Sequence, residues 1–280
     1  MAEDFIDQVT NQLMETAEIE RDLYTRFAVK RGLRNIDGSG VLVGLTKISS
    51  VIGFKIVDEE VVPTDGELHY RGISVNDLVQ GIQKEKRHGF PEVTYLLLFG
   101  KLPNQQELEN FLEYMKPQIS LPPGLNETSI LQFPSPSVMN KLQRVILVLY
   151  GVDPNPDDIS IPNVIRQCLS LIAKFPIIIA YSYQAMRHRL HGESLFVHPP
   201  NKELCCAENF LYMLRPDTKY TALEADLLDL ALMLHAEHGG GNNSTFTAHV
   251  VTSSHTDTYS ALSAAVGSLK GPLHGAANSS

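Results

Sequence analysis

The sequence has few cysteines, and they do not form spaced pairs. Its 280 residues contain only three, Cys168 and the adjacent Cys205 and Cys206. Disulfide-rich secreted domains and zinc ribbons require cysteines spaced in pairs along the chain. The pattern therefore argues against both classes and predicts buried free thiols in a reducing, cytoplasmic protein.

Positive charge is also scarce. Lys and Arg together number 23 against 32 Asp and Glu, which gives a formal net charge of −9. An acidic surface repels phosphate backbones and anionic membranes, so neither a nucleic acid nor a membrane surface is a predicted partner.

Long apolar runs are missing as well. The longest, residues 169–183, contains Lys174 and Pro176 and is too short to span a bilayer. Residues 1–22 are acidic and amphipathic, without the pattern of a signal peptide or the arginine-rich character of a transit peptide. The sequence predicts neither a membrane span nor a targeting segment.

What the sequence does contain is a composition typical of a folded, mainly helical protein. Hydrophobic residues make up 43% and charged residues 20%, which is far from the polar signature of disorder. The length fits one large domain or two ordinary ones. Apolar residues recur mostly at helical spacing, without alternation of strand and helix. We therefore expect an all-α fold with one short β-hairpin near the N-terminus.

Hydrophobic periodicity places the individual elements. Residues 3–30 are predicted to be helical, with a break near Glu20. Residues 41–72 are predicted to hold the hairpin, with its turn at residues 63–66. Further helices are predicted over residues 164–173, 176–187, 208–214, 222–238 and 259–270.

Capping signals sharpen several helix ends. Ser74 is a predicted N-cap, and Pro91 is the predicted first residue of a helix that Gly100 ends. Asn104, followed three residues later by Glu107, predicts a capping box at the start of another helix.

Half of the ten histidines lie near the C-terminal end of the sequence, and two of them end a predicted helix. His235 and His238 follow the apolar face of residues 222–238, and the glycines at 239–241 must end that helix. The negative end of the helix macrodipole favours an imidazolium there, which suits an anionic ligand. Short hydrogen-bond donors follow at Asn242, Asn243 and Ser244. The alternative is that both histidines are satisfied core residues before an ordinary loop.

A second candidate site surrounds His274. The neighbours in residues 271–278 are mostly Gly, Ala and Pro, so another molecule can approach the imidazole closely. A helix starting at Ala276 would disfavour the imidazolium, leaving a neutral ring that can polarise a carbonyl and stabilise an enolate. The alternative is a glycine-terminated helix followed by a turn with a solvent-facing histidine.

A metal site is a competing interpretation of the same histidines. His235 and His238 lie one helical turn apart, and His249 or His255 could supply a third ligand. The sequence is not His-Glu-x-x-His, however, and the three glycines leave the position of the next ligand poorly fixed. Metal catalysis is therefore the less favoured interpretation.

Two segments closely resemble the signature segments of the citrate synthase family, particularly of its bacterial members. They are LDLALMLHAEHGGGNNSTFT, residues 228–247, and SLKGPLHGAAN, residues 268–278. Residues 65–78, 90–108 and 208–214 resemble further family segments in the same order. The resemblance spans most of the chain and favours the catalytic interpretation of both histidine segments.

The resemblance implies a helical large domain with an inserted small domain. Residues 1–270 would then be the N-terminal part of the large domain, and residues 271–280 the truncated start of the small domain. The implied protein is a homodimer, in which the small residues of the helix at 259–270 allow close packing near the interface. Its implied reaction condenses acetyl-CoA with oxaloacetate to citrate and CoA, without a metal or bound cofactor.

The resemblance also implies roles for particular residues. His274 matches the histidine that hydrogen-bonds the acetyl thioester oxygen and stabilises the enol. The implied oxaloacetate-binding residues are His238, Asn242 and His235. The implied CoA-binding residues are Leu273 and Gly275. Two alternatives stay open: a 2-methylcitrate synthase that uses propionyl-CoA, and a non-catalytic helical dimerisation scaffold.

The sequence departs from the family pattern after His274. The family's second catalytic histidine, its aspartate base and its carboxylate-binding arginines have no counterpart in residues 275–280. His255 is a poor substitute for the base, because it lies in a predicted loop. We therefore expect the 280-residue chain alone to be inactive, as the N-terminal part of a longer enzyme.

Overall fold

The computed structural model describes residues 2–29, 45–58 and 60–275, and within these ranges the chain is mainly helical. The helices are α1 (Ala2–Ala17), α2 (Arg21–Arg26), α3 (Val75–Glu85), α4 (Phe90–Phe99), α5 (Gln105–Met115), α6 (Val138–Tyr150), α7 (Ile161–His191), α8 (Cys206–Leu214), α9 (Ala222–Leu234), α10 (Asn243–Thr252) and α11 (Thr258–Leu269). The strands β1 (Ser49–Val57), β2 (Glu60–Tyr70) and β3 (Ile73–Ser74) form one antiparallel sheet in the order β1-β2-β3. A 3₁₀ turn (Lys116–Gln118) and a π-helical segment (Asn126–Leu131) lie between α5 and α6. The predicted fold class is confirmed.

Local capping chemistry sets several helix ends as the sequence predicts. The Ser74 side chain accepts the N–H of Asn76, and Asn104 and Glu107 form a reciprocal capping box. Gly100 ends α4 with φ +87°, a conformation that favours glycine. The predicted break near Glu20 is confirmed by the gap between α1 and α2.

The hairpin exists, but the prediction of its turn is wrong. The strands meet between Val57 and Glu60, whereas residues 63–66 lie inside β2. The pairing changes register between Ile52 and Phe54, so residues 64–66 bulge opposite one residue of β1. Residues that favour turns, such as Pro and Gly, are also tolerated at a bulge. β3 pairs with β2 only at His69 and Tyr70, so it does not cover the other edge of β2 at residues 63–66.

The predicted separation of residues 164–173 and 176–187 into two helices is also wrong. Residues 161–191 form one helix with Pro176 inside it, because side chains before and after the proline are held in the core, Leu171 and Ile177 among them. Burial of these neighbours offsets the lost backbone hydrogen bond. The helix is long and apolar enough to cross a bilayer, so the length argument against a span is wrong too. More than half of its most apolar stretch is nevertheless buried by the rest of the chain, and length alone is weak evidence for a span.

In the part of the chain that the structure describes, three apolar clusters make up the core, and α7 and α4 connect them. The first cluster joins α6, α7 and α11, the second joins α1, α4, α5 and α7, and the third joins β2, α3, α4 and α9. In the third, the buried Tyr70 donates its hydroxyl hydrogen to the carbonyl of Met233, 2.8 Å away, and its oxygen lies 3.4 Å from the N–H of Glu237. Tyr70 thus fixes the end of α9, immediately before the first histidine segment.

Two further sequence predictions concern the cysteines and the domain boundary. The three cysteines are free and half-buried, and burial raises the pKa of Cys168 to about 11. The domain boundary at residue 270 stays a prediction, and residues 276–280 lie outside the described residues.

Candidate active site

The site is built on the packed pair α10 and α11. Residues 242–244, which one interpretation of the sequence places in an ordinary loop, begin a helix: Asn242 caps α10 by accepting the N–H of Thr245. The Ser244 hydroxyl lies 3.0 Å from the carbonyl of Ala265, and Asn243 donates its amide to Ser268, 2.9 Å away. These bonds hold the start of α10 against the end of α11, from which the His274 segment leaves.

His274 is half-buried and is positioned by Ser244. Its Nε2 lies 2.8 Å from the Ser244 hydroxyl oxygen. Ser244 has one hydroxyl hydrogen and two possible acceptors, the carbonyl of Ala265 and Nε2 of His274. If Ser244 donates its hydrogen to Nε2, the neutral imidazole of His274 carries its own hydrogen on Nδ1. His274 can then donate that hydrogen to a carbonyl oxygen.

His238 does not lie at a helix end, which corrects the sequence prediction. α9 ends at Leu234 with His235 as its C-cap. His238 lies three residues beyond that cap, where the macrodipole of α9 has little effect on its imidazole. The turn is held instead by Glu237, whose carboxylate accepts the N–H of His238 at 3.0 Å and that of Gly239 at 2.7 Å. Ser49 of β1 donates to the same carboxylate at 3.2 Å.

His238 and His274 line the same cavity. Their ring centroids are 6.3 Å apart with an interplanar angle of 61°. The cavity has a volume of 870 Å³ and is lined by His238, Gly241, Asn242, Asn243, Ser268, Gly271, Pro272, Leu273 and His274. The N-terminus of α10 opens into it and supplies the positive helix end that suits an anionic ligand.

Most of the predicted site residues line this cavity, and two do not. Asn242 also lines the cavity. Its side-chain amide donates to the Gly239 carbonyl and the Thr245 hydroxyl, so these contacts already hold the side chain in its capping position. Leu273 is fully exposed at the rim.

His235 and Gly275 lie outside the cavity lining. The ring of His235 is exposed, with Nδ1 2.8 Å from the carbonyl of Ala231. Gly275 lies close to α11: an added Cβ there would meet the carbonyl oxygen of Leu269 at 2.7 Å. The helix predicted to begin at Ala276 falls outside the described residues.

The structure argues against the metal interpretation of these histidines. Among residues 2–29, 45–58 and 60–275, His235, His238, His249 and His255 do not form a cluster of metal-ligating atoms. His255 follows the opposite end of α10 from the cavity, and that helix of ten residues is about 15 Å long. His255 is therefore also remote from the cavity.

Two positioning residues are missing from the sequence analysis. Tyr70 and Glu237 fix the His238 segment through contacts with distant parts of the chain. Glu237 stands between the two histidines of His-Ala-Glu-His, but nothing local shows that it folds back onto the backbone. Burial raises the pKa of the Tyr70 hydroxyl, consistent with a structural role.

Comparisons with known proteins identify relatives of this chain. The family described as "Citrate synthase, C-terminal domain" matches residues 35–280. The chain is 34% identical over 89% of its length to 2-methylcitrate synthase 1 of Corynebacterium glutamicum, and 35% identical over 86% to citrate synthase of a Synechocystis species. It covers 59% and 54% of those two proteins.

A solved structure shows the same fold. The crystal structure of citrate synthase from Pyrobaculum aerophilum matches with a TM-score of 0.68 and 32% identity, covering 85% of this chain and 56% of that one. The family match extends over most of the chain and includes both histidine segments. The chain therefore belongs to the citrate synthase family.

Proposed function

We propose that this chain supplies the thioester-activating and oxaloacetate-binding groups of a citrate synthase, which condenses acetyl-CoA with oxaloacetate to citrate and CoA. The observation that carries the proposal is the placement of His238 and His274 across one cavity, with ring centroids 6.3 Å apart. Both rings line the same cavity, so groups of different function can contact substrates bound in it. No metal or bound cofactor enters the proposed reaction.

The two histidines have distinct tasks in this proposal. His274 donates Nδ1–H to the thioester oxygen and stabilises the enolate that forms when a methyl proton is removed. His238 and the N-terminus of α10 bind the oxaloacetate dianion, whose ketone carbon the enolate attacks. Hydrolysis of the citryl thioester then releases CoA.

Proton removal requires a base that the cavity lining lacks. Among the described residues that line it, none is an aspartate or glutamate. We therefore propose that the 280-residue chain alone binds oxaloacetate but does not complete the reaction, and that the base belongs to a longer protein.

Calorimetry and a thiol-release assay test both parts of this proposal. The chain should bind oxaloacetate with measurable heat, and His238→Ala should abolish that heat. His235→Ala is the matched control, because His235 is exposed and does not line the cavity. Release of CoA at ordinary enzyme rates would contradict the proposed inactivity, and equal binding by His238→Ala would contradict the proposed site.

The acyl-CoA preference has two candidates. The curated relatives include a 2-methylcitrate synthase and a citrate synthase at nearly equal identity, 34% and 35%. Dissociation constants for acetyl-CoA and propionyl-CoA, measured with oxaloacetate present, distinguish them. Tenfold tighter binding of propionyl-CoA than of acetyl-CoA would assign the chain to the 2-methylcitrate synthase reaction.

A cytoplasmic homodimer completes the proposal. In the structure, the small residues of α11 serve packing within the chain: a Cβ on Gly267 would meet the Gln143 side chain at 2.6 Å. Light scattering during size-exclusion chromatography tests the dimer. A dimer without heat for either substrate would favour the non-catalytic scaffold instead.

A further inference from the structure

A second cluster of chemically capable side chains lies away from the histidine site. His88, in the turn between α3 and α4, faces Cys205 and Glu208 at the start of α8. One nitrogen, one sulfur and one oxygen atom from these residues all lie within 4.8 Å of one another. This combination of donors is typical of a zinc ligand set and unlike the all-oxygen sets of Ca²⁺ or Mg²⁺.

The separation of the His88 and Glu208 donor atoms fits binding to one shared ion better than a direct hydrogen bond between them. Nε2 of His88 is 4.0 Å from Oε1 of Glu208, too far for a hydrogen bond. Two atoms bound to one tetrahedral Zn²⁺ by bonds of about 2.0–2.3 Å lie roughly 3.2–3.8 Å apart. The His88–Glu208 pair is therefore close to binding distance, and donor atoms as far as 4.8 Å apart would move closer on binding an ion.

Two of the donors are already fixed relative to each other. Oε2 of Glu208 accepts the N–H of Cys205 at 3.0 Å, and the Cys205 sulfur accepts the N–H of Glu208 at 3.4 Å. This capping box leaves the second carboxylate oxygen directed at His88. The two ligands from α8 are thus held in place by the fold itself.

The surroundings of His88 supply the outer contacts that zinc-bound histidines usually have. Its Nδ1 is buried, has no hydrogen-bond partner among the described residues, and lies 3.9 Å from a carboxylate oxygen of Asp226. A carboxylate at the second ring nitrogen is the usual orienting group of such histidines. Asp229 also accepts the N–H of Gly89 at 2.6 Å, which fixes the turn that carries His88.

Access and charge are compatible with a cation. His88 and Cys205 line a mainly apolar cavity of 330 Å³, which provides an entry path and space for a fourth ligand. The positive end of α8 opposes a cation, but the carboxylates of Glu208, Asp226 and Asp229 surround the site with negative charge.

We propose that His88, Cys205 and Glu208 bind one Zn²⁺, which links the α3–α4 turn to the start of α8. The site is separate from the histidine cavity, and the proposal is independent of the proposed reaction. An ion there would cross-link these two elements, whose His88 and Glu208 side chains are 4.0 Å apart without a hydrogen bond between them.

Cobalt substitution tests the site, because Co²⁺ bound to a thiolate gives a near-ultraviolet charge-transfer band. The chelator-treated chain should bind one equivalent of Co²⁺ with this band, and Zn²⁺ should displace it. Cys205→Ser should lose the band while keeping the helix cap, since serine is a good N-cap. Cys206→Ala is the matched control and should keep the band.

Asp226→Asn supplies a graded test. Loss of the outer carboxylate should weaken Zn²⁺ binding by roughly 10- to 100-fold without removing a ligand. Circular dichroism shows whether each variant is folded. Absence of stoichiometric binding by the wild-type chain, or a band that persists in Cys205→Ser or disappears in Cys206→Ala, would overturn the proposal.

Discussion

The central core and the histidine site are built from different interactions. In the central core, between α6 and α7, side chains such as Val145, Ile146 and Ile178 have no exposed surface. In the histidine site His238 and Leu273 are exposed, and among the described residues α10 has no buried side chain. Apolar burial stabilises the first region, whereas caps and single hydrogen bonds shape the second.

This difference separates stability from ligand binding. A core side chain in full contact contributes several kcal/mol, while a half-exposed hydrogen bond contributes about 1 kcal/mol. Substitutions in the core should therefore unfold the chain before they alter the site. Substitutions in the site should change ligand binding while leaving most of the stability intact.

The largest expected effect is that of Ile146→Ala. Removing this buried side chain of α6 leaves a cavity and should lower the free energy of unfolding by about 2–5 kcal/mol. Leu147→Ala, at the next position of the same helix and 49% exposed, should cost about 1 kcal/mol or less. Urea denaturation followed by circular dichroism measures both. Equal losses would mean that the central core does not dominate stability.

A smaller effect is expected at a polar contact beside the central core, which ties the end of α6 to α7 and α11. The carboxylate of Asp153, which follows α6, accepts hydrogen bonds from Arg166 of α7 at 2.7 Å and Tyr259 of α11 at 2.5 Å. Asp153→Asn removes the charge from this contact and should cost about 1–3 kcal/mol. Tyr259→Phe is a milder companion change, because it removes one bond and keeps the carboxylate.

The pH dependence gives Asp153→Asn a specific signature. Burial would raise the pKa of Asp153, but hydrogen bonds from Arg166 and Tyr259 outweigh it and hold the pKa below its ordinary value. The folded state therefore binds this proton less readily than the unfolded state, so the stabilisation is present above about pH 5 and is lost as the pH falls. Acid titration of wild type should show a steeper loss of stability than Asp153→Asn. Parallel curves would contradict the assignment.

Features encoded by neighbouring residues were predictable from the sequence, and those that depend on distant contacts were not. Asn104 with Glu107, and Gly100, define helix ends through bonds that span a few residues. The continuity of α7 through Pro176 depends instead on core packing contributed by other helices.

The site shows the same division. His238 and His274 are recognisable in short motifs, and their placement across one cavity follows the family resemblance. The contact between Ser49 and Glu237 joins residues 188 apart, which no local pattern reports. α10 is missing from the prediction because its sequence is rich in Thr and Val and carries no apolar stripe.

Gly239→Ala tests whether the site depends on backbone conformation. Gly239 has φ +104°, which an L side chain adopts at a cost of about 1–2 kcal/mol. An added Cβ would meet Val51 at 3.5 Å, an ordinary contact, so the expected cost arises from the backbone alone. Oxaloacetate binding should weaken about tenfold in calorimetry as the His238 turn rearranges.

Gly241→Ala is the control for that experiment. Gly241 lines the same cavity, but its Cβ would meet no atom within 4 Å and its φ is not positive. It should retain both stability and oxaloacetate binding. Equal weakening in the two variants would show that the site requires open space at the glycines rather than the left-handed conformation of one of them.

The smallest expected change in stability, Ser244→Ala, bears most directly on the chemistry of the site. The substitution removes the hydroxyl between His274 and Ala265 and should cost about 0.5–1.5 kcal/mol. Without that hydroxyl, the neutral ring of His274 loses the hydrogen bond at Nε2 that selects one tautomer, so its two tautomers should become more equally populated. Nitrogen-15 NMR of the imidazole reports this shift directly. Ser268→Ala removes a comparable hydroxyl beside the same cavity, where it accepts from Asn243 rather than contacting His274. An unchanged tautomer ratio in Ser244→Ala, or an equal change in Ser268→Ala, would show that the fold holds His274 without selecting which nitrogen carries the hydrogen.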